Sequence, residues 1–237
     1  MEIRENRFKR RINDTLRLNI TSYLRRFNRV FIVLRFFKRA VQYLIWRSKD
    51  AYRWRKHPFQ KNRVIWINPQ NIALCTVKEF NPIISDGIVL DGDWDISNKL
   101  FEDLDIFNSF KDHFTMGASW VETVFYRNTI RSIANGKFYW GCKNEDDFKA
   151  RCIKLDELYS EIRSRGYKTQ REINQGLAWL QLIDEISVNV DRNGQLLFNN
   201  GAHRLSIAKI LQIEKIPVRI TVWHQKCQML SCVFSVE

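Results

Sequence analysis

One stretch of the chain, residues 186–222, leaves few architectures open. Ile186-Ser187-Val188-Asn189-Val190 alternates as a strand, Asp191-Arg192-Asn193-Gly194 carries the Asn-Gly pair of a tight hairpin, and residues 195–198 read as the return strand. Asn199-Asn200-Gly201 then turns into a helical pattern over residues 202–213, marked by Leu205, Ala208, Ile210 and Leu211, and residues 216–222 form the next strand. A two-stranded hairpin followed by a glycine turn, a helix and a strand predicts an α/β or α+β fold: a small mixed sheet with flanking helices.

The turn is where chemistry is expected. Gly201 lets the backbone approach a ligand, and the N–H groups of the first helical turn point outward at the positive end of the helix dipole. Asn200, Gly201, Ala202, His203 and Arg204 are therefore candidate phosphate- or nucleotide-binding residues. Arg204 can add a bidentate contact, and His203 can donate a hydrogen bond or act as an acid or base. The plainer alternative is a helix start with an Asn cap and an incidental His-Arg pair.

A wider pattern surrounds the turn. Residues 158–166, Leu-Tyr-Ser-Glu-Ile-Arg-Ser-Arg-Gly, read as a helix ending in glycine; Gly201-Ala202-His203-Arg204, Ala208-Lys209 and Ile216-Pro217-Val218 follow. Over about 156–224, this resembles the ParB/sulfiredoxin superfamily. The resemblance implies a nucleotide (ATP, ADP or CTP), and it narrows the chemistry branch by branch. Sulfiredoxins carry their catalytic cysteine where this chain has Ala202, so sulfinic-acid reduction is not expected. Segregation ParB proteins place Glu-Arg-Arg after the glycine, of which only Arg204 is kept. Free-serine kinases of this fold show Asp-Gly-His-His-Arg, which is similar here at Gly201, His203 and Arg204 but has Asn200 in place of the acid. Residues 167–185 are longer than the usual link, and Lys168 within them can add a cation to the site or belong to a cap on the next helix.

Phosphoryl transfer would need carboxylates beside the turn, to hold Mg²⁺ and to serve as a base. Asp91, Asp93 and Asp95 alternate in Asp-Gly-Asp-Trp-Asp and share a side if the segment is extended. Asp91 and Asp93 are the metal candidates; Asp93, Asp95 and His203 are the catalytic ones. The alternative is an acidic surface loop with Trp94 plugging the core. Glu79 is a further base candidate. His57, His113 and His224 stand alone, with His224, at a strand end, the best placed to line the site.

Charge divides the chain. Residues 1–63 hold 19 Lys/Arg against 4 Asp/Glu, a net +15, whereas residues 64–237 hold 20 against 22, a net −2. In the first segment, apolar residues from Leu16 to Ile45 recur every three or four positions between arginines, with Trp46, Tyr52 and Trp54 after them, predicting a basic amphipathic helical arm. Its apolar stripe suits an anionic membrane surface or the protein's own core; its cations also suit DNA. Arg29 and Arg35 bracket only five uncharged residues, far short of the roughly 18–20 that a spanning helix needs. Neither an apolar leader with a small-residue cleavage site nor paired CxxC spacing among the five cysteines is present, so a reducing, cytoplasmic setting is expected, with peripheral membrane attachment an option. A globular domain over residues 64–237 is expected to open with the strand Val64-Ile65-Trp66-Ile67. Helices are expected over residues 119–133, from the Ser119/Glu122 capping-box spacing, and from Asn144 to Gly166. Two functions fit: a phosphotransferase acting at an anionic membrane surface, or a DNA-binding ParB-like protein with a nucleotide switch or docking domain.

Overall fold

The computed structural model describes residues 64–82, 85–137, 141–173 and 185–227. The chain divides into two units, Met1–Pro58 and Phe59–Glu237. The amphipathic helix expected within residues 1–63 lies outside the described residues, and every described strand and helix belongs to the second unit.

Six strands form one mixed sheet: β1 (Val64–Ile67), β2 (Leu74–Cys75), β3 (Ile88–Leu90), β4 (Ile186–Val190), β5 (Leu196–Asn200) and β6 (Ile216–His224). Their order is β1-β6-β4-β5-β2, with β3 also paired to β6. The first half of β6 pairs antiparallel with β1, from Ile216↔Ile67 to Arg219↔Val64, and its second half pairs parallel with β3, from Val222↔Ile88 to His224↔Leu90. β4 and β5 form the antiparallel hairpin expected from Asn193-Gly194, and β4 lies parallel to β6. β5 returns the chain to the starting end of β4, and the helix after Gly201 carries it across β4 to β6, which therefore runs parallel to β4.

The described helices are α1 (Asp105–Met116), α2 (Val124–Ala134), α3 (Glu145–Arg165), α4 (Gln170–Ile173) and α5 (Ala202–Ile210). Their ends follow local chemistry. The Asn144 side chain caps α3 by accepting from the Asp147 N–H, Glu145, Asp146 and Asp147 face the positive end of its dipole, and Gly166 at φ 78° stops it. Ser119 and Glu122 make a capping box on a single 3₁₀ turn, and Thr123 then caps α2. α5 is shorter than the expected span to Ile213. Gln212 adopts φ 52° and the Ile213 N–H bonds back to the Ala208 carbonyl, closing the helix without glycine. The sequence reading does not foresee α1, because its N-cap, Leu104, offers no side-chain cap.

α5 lies between two cores. Leu205 and Ala208 pack with Ile186, Val188, Val218 and Ile220 of the sheet, while Ile207 packs with Phe110, Trp120, Phe125 and Phe148 of the helical layer. Burying Leu205 completely contributes roughly 2–3 kcal/mol. Ser187, Asn189, Arg219 and Thr221, which alternate with that apolar face, are buried as well, so both sides of the central strands are covered. The Arg219 guanidinium donates to the Pro82 carbonyl at 2.7 Å and stands 3.8 Å from Asp86, which ties these two residues to the polar side. Among the described residues, no helix is long and apolar enough to cross a membrane.

Candidate functional site

Gly201 is fixed by two constraints. Its φ of 100° is left-handed, and a Cβ there would stand 3.1 Å from the Ile186 Cα. The chain therefore turns directly against the start of β4, and α5 begins with no side-chain cap on its first N–H groups. The two asparagines before it divide the work. Asn199 is buried and accepts from the Phe80 N–H while donating to the Phe80 carbonyl and to Ser187 Oγ, so it pins the loop after β2 to the sheet. Asn200 is exposed and its amide donates to Glu79 Oε1 at 2.8 Å. Glu79 is thus the carboxylate that stands at the turn.

Arg204, in the first turn of α5, points its Nη1 at Glu185 Oε2 at 3.7 Å. Glu185 has a side chain only 2% exposed, just before β4. Its Oε1 accepts the Gln170 N–H at 2.6 Å. Burial raises the Glu185 carboxyl above its usual range, against that hydrogen bond and the pull of Arg204 and Arg219. Tyr167 lies against the same pair, its hydroxyl pushed up to about 12, chiefly by burial. Arg204 Nη1, Glu185 Oε2 and the Tyr167 hydroxyl are all buried, and none has a hydrogen bond among the described residues. A polar group sequestered in this state typically costs 1–3 kcal/mol, so the cluster can accept another hydrogen-bonding partner.

His203 faces the other way. Its ring lies 5.7 Å from Phe110 and 5.9 Å from Phe125, in the helical core. Burial, with Arg151 and Arg204 adding to it, lowers its pKa to about 3, so the ring is neutral at ordinary pH. The acid–base role expected for His203 is corrected to that of a packed, neutral imidazole.

The acidic stretch is also placed differently from expectation. Asp95 is buried, and both of its oxygens accept from Arg192: Oδ2 from the backbone N–H and Nε, Oδ1 from Nη2 at 2.7 Å. Arg192 Nη2 also reaches Asp93 Oδ1 at 2.8 Å and the Gly92 carbonyl. Asp91 accepts the Gly92 N–H, and His224 Nε2 lies 2.8 Å from the Gly92 carbonyl. Trp94 packs on Phe80 and His224. The guanidinium holds the Asp95 carboxyl down at about 2. This cluster follows the last residue of β4, whereas Gly201 touches the first; the strand between them spans about 13 Å. Asp91, Asp93, Asp95 and His224 therefore do not line the turn. Asp91 and Asp93, the expected metal ligands, stand at the far end of β4 from the turn, and Asp93, like Asp95, is taken up by Arg192, so the pair does not fit an Mg²⁺ site shared with a phosphate held there. Among the described residues, no three His, Cys, Asp or Glu side chains converge as metal ligands.

Residues 167–171 reach the site, and Lys168 stands close enough to Glu172 to help lower that carboxyl. Tyr167 and the Gln170 N–H make the contacts, while Thr169 and Glu172 form a reciprocal cap on α4. His113 is structural: it stacks on Trp120 with ring centroids 4.1 Å apart and lies 3.0 Å from Asp156. Tyr167 and Glu185 are the site residues that sequence reading misses. A glutamate abutting the apolar start of a strand is the available signal for the second. No protein-family model, curated protein or solved structure matches the chain.

Proposed function

We propose that this protein binds a nucleotide or other phosphate ester at residues 200–204 and acts as a phosphotransferase, a reading that agrees with its resemblance to the ParB/sulfiredoxin superfamily. The observation that carries it is Arg204 in the first turn of an uncapped helix, with a buried nitrogen that lacks a hydrogen bond among the described residues. A phosphate oxygen on the free N–H groups of α5 would satisfy that nitrogen at the favourable end of the dipole. Glu79 supplies the carboxylate that Asn200 does not, and is the base we assign. In the transfer, an acceptor hydroxyl attacks the terminal phosphorus, the bond from that phosphorus to the nucleotide's bridging oxygen breaks, and the hydroxyl proton passes to Glu79.

Calorimetric titration with ATP, ADP and CTP in the presence of Mg²⁺ tests this reading. At least one is expected to bind, and Arg204→Ala is expected to weaken it by tenfold or more. Failure of all three, with inorganic phosphate also failing, would overturn it.

For residues 1–63, we propose attachment to an anionic membrane surface, on the strength of the +15 charge interleaved with apolar and aromatic positions. The same charge supports a second reading as a DNA-binding arm. Salt separates them: binding to DNA falls steeply with ionic strength, whereas apolar insertion into lipid persists.

A further inference from the structure

Beside the turn, the first residue of α5 opens onto a cavity of about 340 Å³ that the phosphate reading leaves unused. Ala202 forms one wall, Asp105 and Ile106 at the start of α1 form the second, and Phe125, Asn128 and Ser132 of α2 form the third. The volume is at the lower end of the range for small-molecule sites, enough for a single ring with substituents.

Its chemistry is divided. Ile106, Phe125 and Ala202 offer an apolar surface on which the face of a ring can rest. Asp105 is held in orientation by Asn128, whose amide donates to its Oδ2 at 2.9 Å, leaving its other oxygen to accept. Ser132 gives its own proton to the Asn128 carbonyl, so its oxygen faces a ligand as an acceptor. Lys99 and Asp103 also line it. A wall of acceptors above an apolar surface selects a molecule with hydroxyl donors around a ring, and the adjacent helix N-terminus selects an anionic substituent.

Building on the phosphate reading above, we infer that this cavity holds the hydroxylated sugar ring of a phosphorylated ligand, with Asp105 as the acceptor for its hydroxyls and the phosphate on residues 201–204. The sugar can come from a free sugar phosphate or from the ribose of a nucleotide, and the two share this chemistry.

The test compares inorganic phosphate, ribose 5-phosphate and ADP on the full chain by calorimetry. Inorganic phosphate reads the turn alone; its failure together with that of the nucleotides would sink the phosphate reading and this inference with it. If it binds, at least one sugar-bearing ligand is expected to bind about tenfold tighter, as one hydrogen bond to a charged group provides. The tighter of the two identifies the source. Asp105→Ala, at an exposed position, and Ser132→Phe, which fills the cavity, are each expected to abolish that gain while leaving inorganic phosphate unchanged. Equal affinity for all three ligands in the parent protein, or a gain that survives both substitutions, would overturn the inference and leave the phosphate site standing.

Discussion

The two ends of β4 each carry an arginine facing a buried carboxylate, and they differ in how completely the pair is satisfied. At the hairpin end, Arg192 meets both oxygens of Asp95, one of Asp93 and the Gly92 carbonyl, all at 3.0 Å or less. At the Gly201 end, Arg204 stands 3.7 Å from Glu185, and the Tyr167 hydroxyl beside them makes no hydrogen bond among the described residues. The first is a clamp that ties the segment after β3 to the hairpin. The second keeps unmet hydrogen-bonding capacity in a sequestered place, which is what a ligand can use. An acidic cluster that looks catalytic in the sequence can thus be the part of the molecule most fully occupied with holding itself together.

That contrast makes Asp95→Asn the substitution with the largest expected effect on folding. The carboxyl is held at about 2, below its unfolded value, so its contribution is complete above that unfolded value and is lost as pH falls toward 2. Denaturant titration is expected to show a loss of about 2 kcal/mol at pH 7, narrowing between pH 4 and pH 2, with phosphate affinity unchanged. Gly201→Ala comes next. A left-handed backbone and a 3.1 Å approach to Ile186 predict about 1–2 kcal/mol of destabilisation, together with weakened ADP binding, since the turn itself is displaced.

Glu185→Gln is expected to act on binding. The carboxylate competes with a phosphate for Arg204, and its neighbours are Arg204, Arg219, Tyr167, Glu172 and the Gln170 N–H. Because burial raises its pKa, falling pH neutralises it and frees Arg204, so ADP affinity in the parent protein should increase as pH falls. The glutamine variant should bind a few-fold tighter at pH 7, with a flatter pH profile, by isothermal titration at several pH values. Asp93→Asn should do least. Its side chain is 79% exposed and Arg192 retains Asp95, so stability is expected to change by less than about 0.5 kcal/mol in thermal melts.

Strand and helix placement can be read from the sequence wherever a local signal marks both ends. Asn193-Gly194 marks the hairpin, Asn144 and Gly166 bound α3, and Gly201 starts α5. Where no such mark exists, reading fails: α1 starts at the apolar Leu104, and β2 is two residues long. The site is half visible. Gly201, Asn200 and Arg204 stand together because they are neighbours in sequence, but Glu79, Tyr167 and Glu185 arrive from three distant segments through packing. His203 is misread because periodicity alone does not reveal that Phe110 and Phe125 converge on its ring. The alternation of Asp91, Asp93 and Asp95 suggests a shared face, and Arg192, a hundred residues on, determines what that face is for.

The contrast between the two ends of β4 is tested most directly by ADP titration of Arg204→Ala and Asp95→Asn side by side, at a temperature where both are folded. Tenfold or greater loss of affinity in Arg204→Ala, with Asp95→Asn matching the parent, is the predicted result. Unchanged affinity in Arg204→Ala, accompanied by loss in Asp95→Asn, would place the functional end of the strand at the acidic cluster and contradict the account.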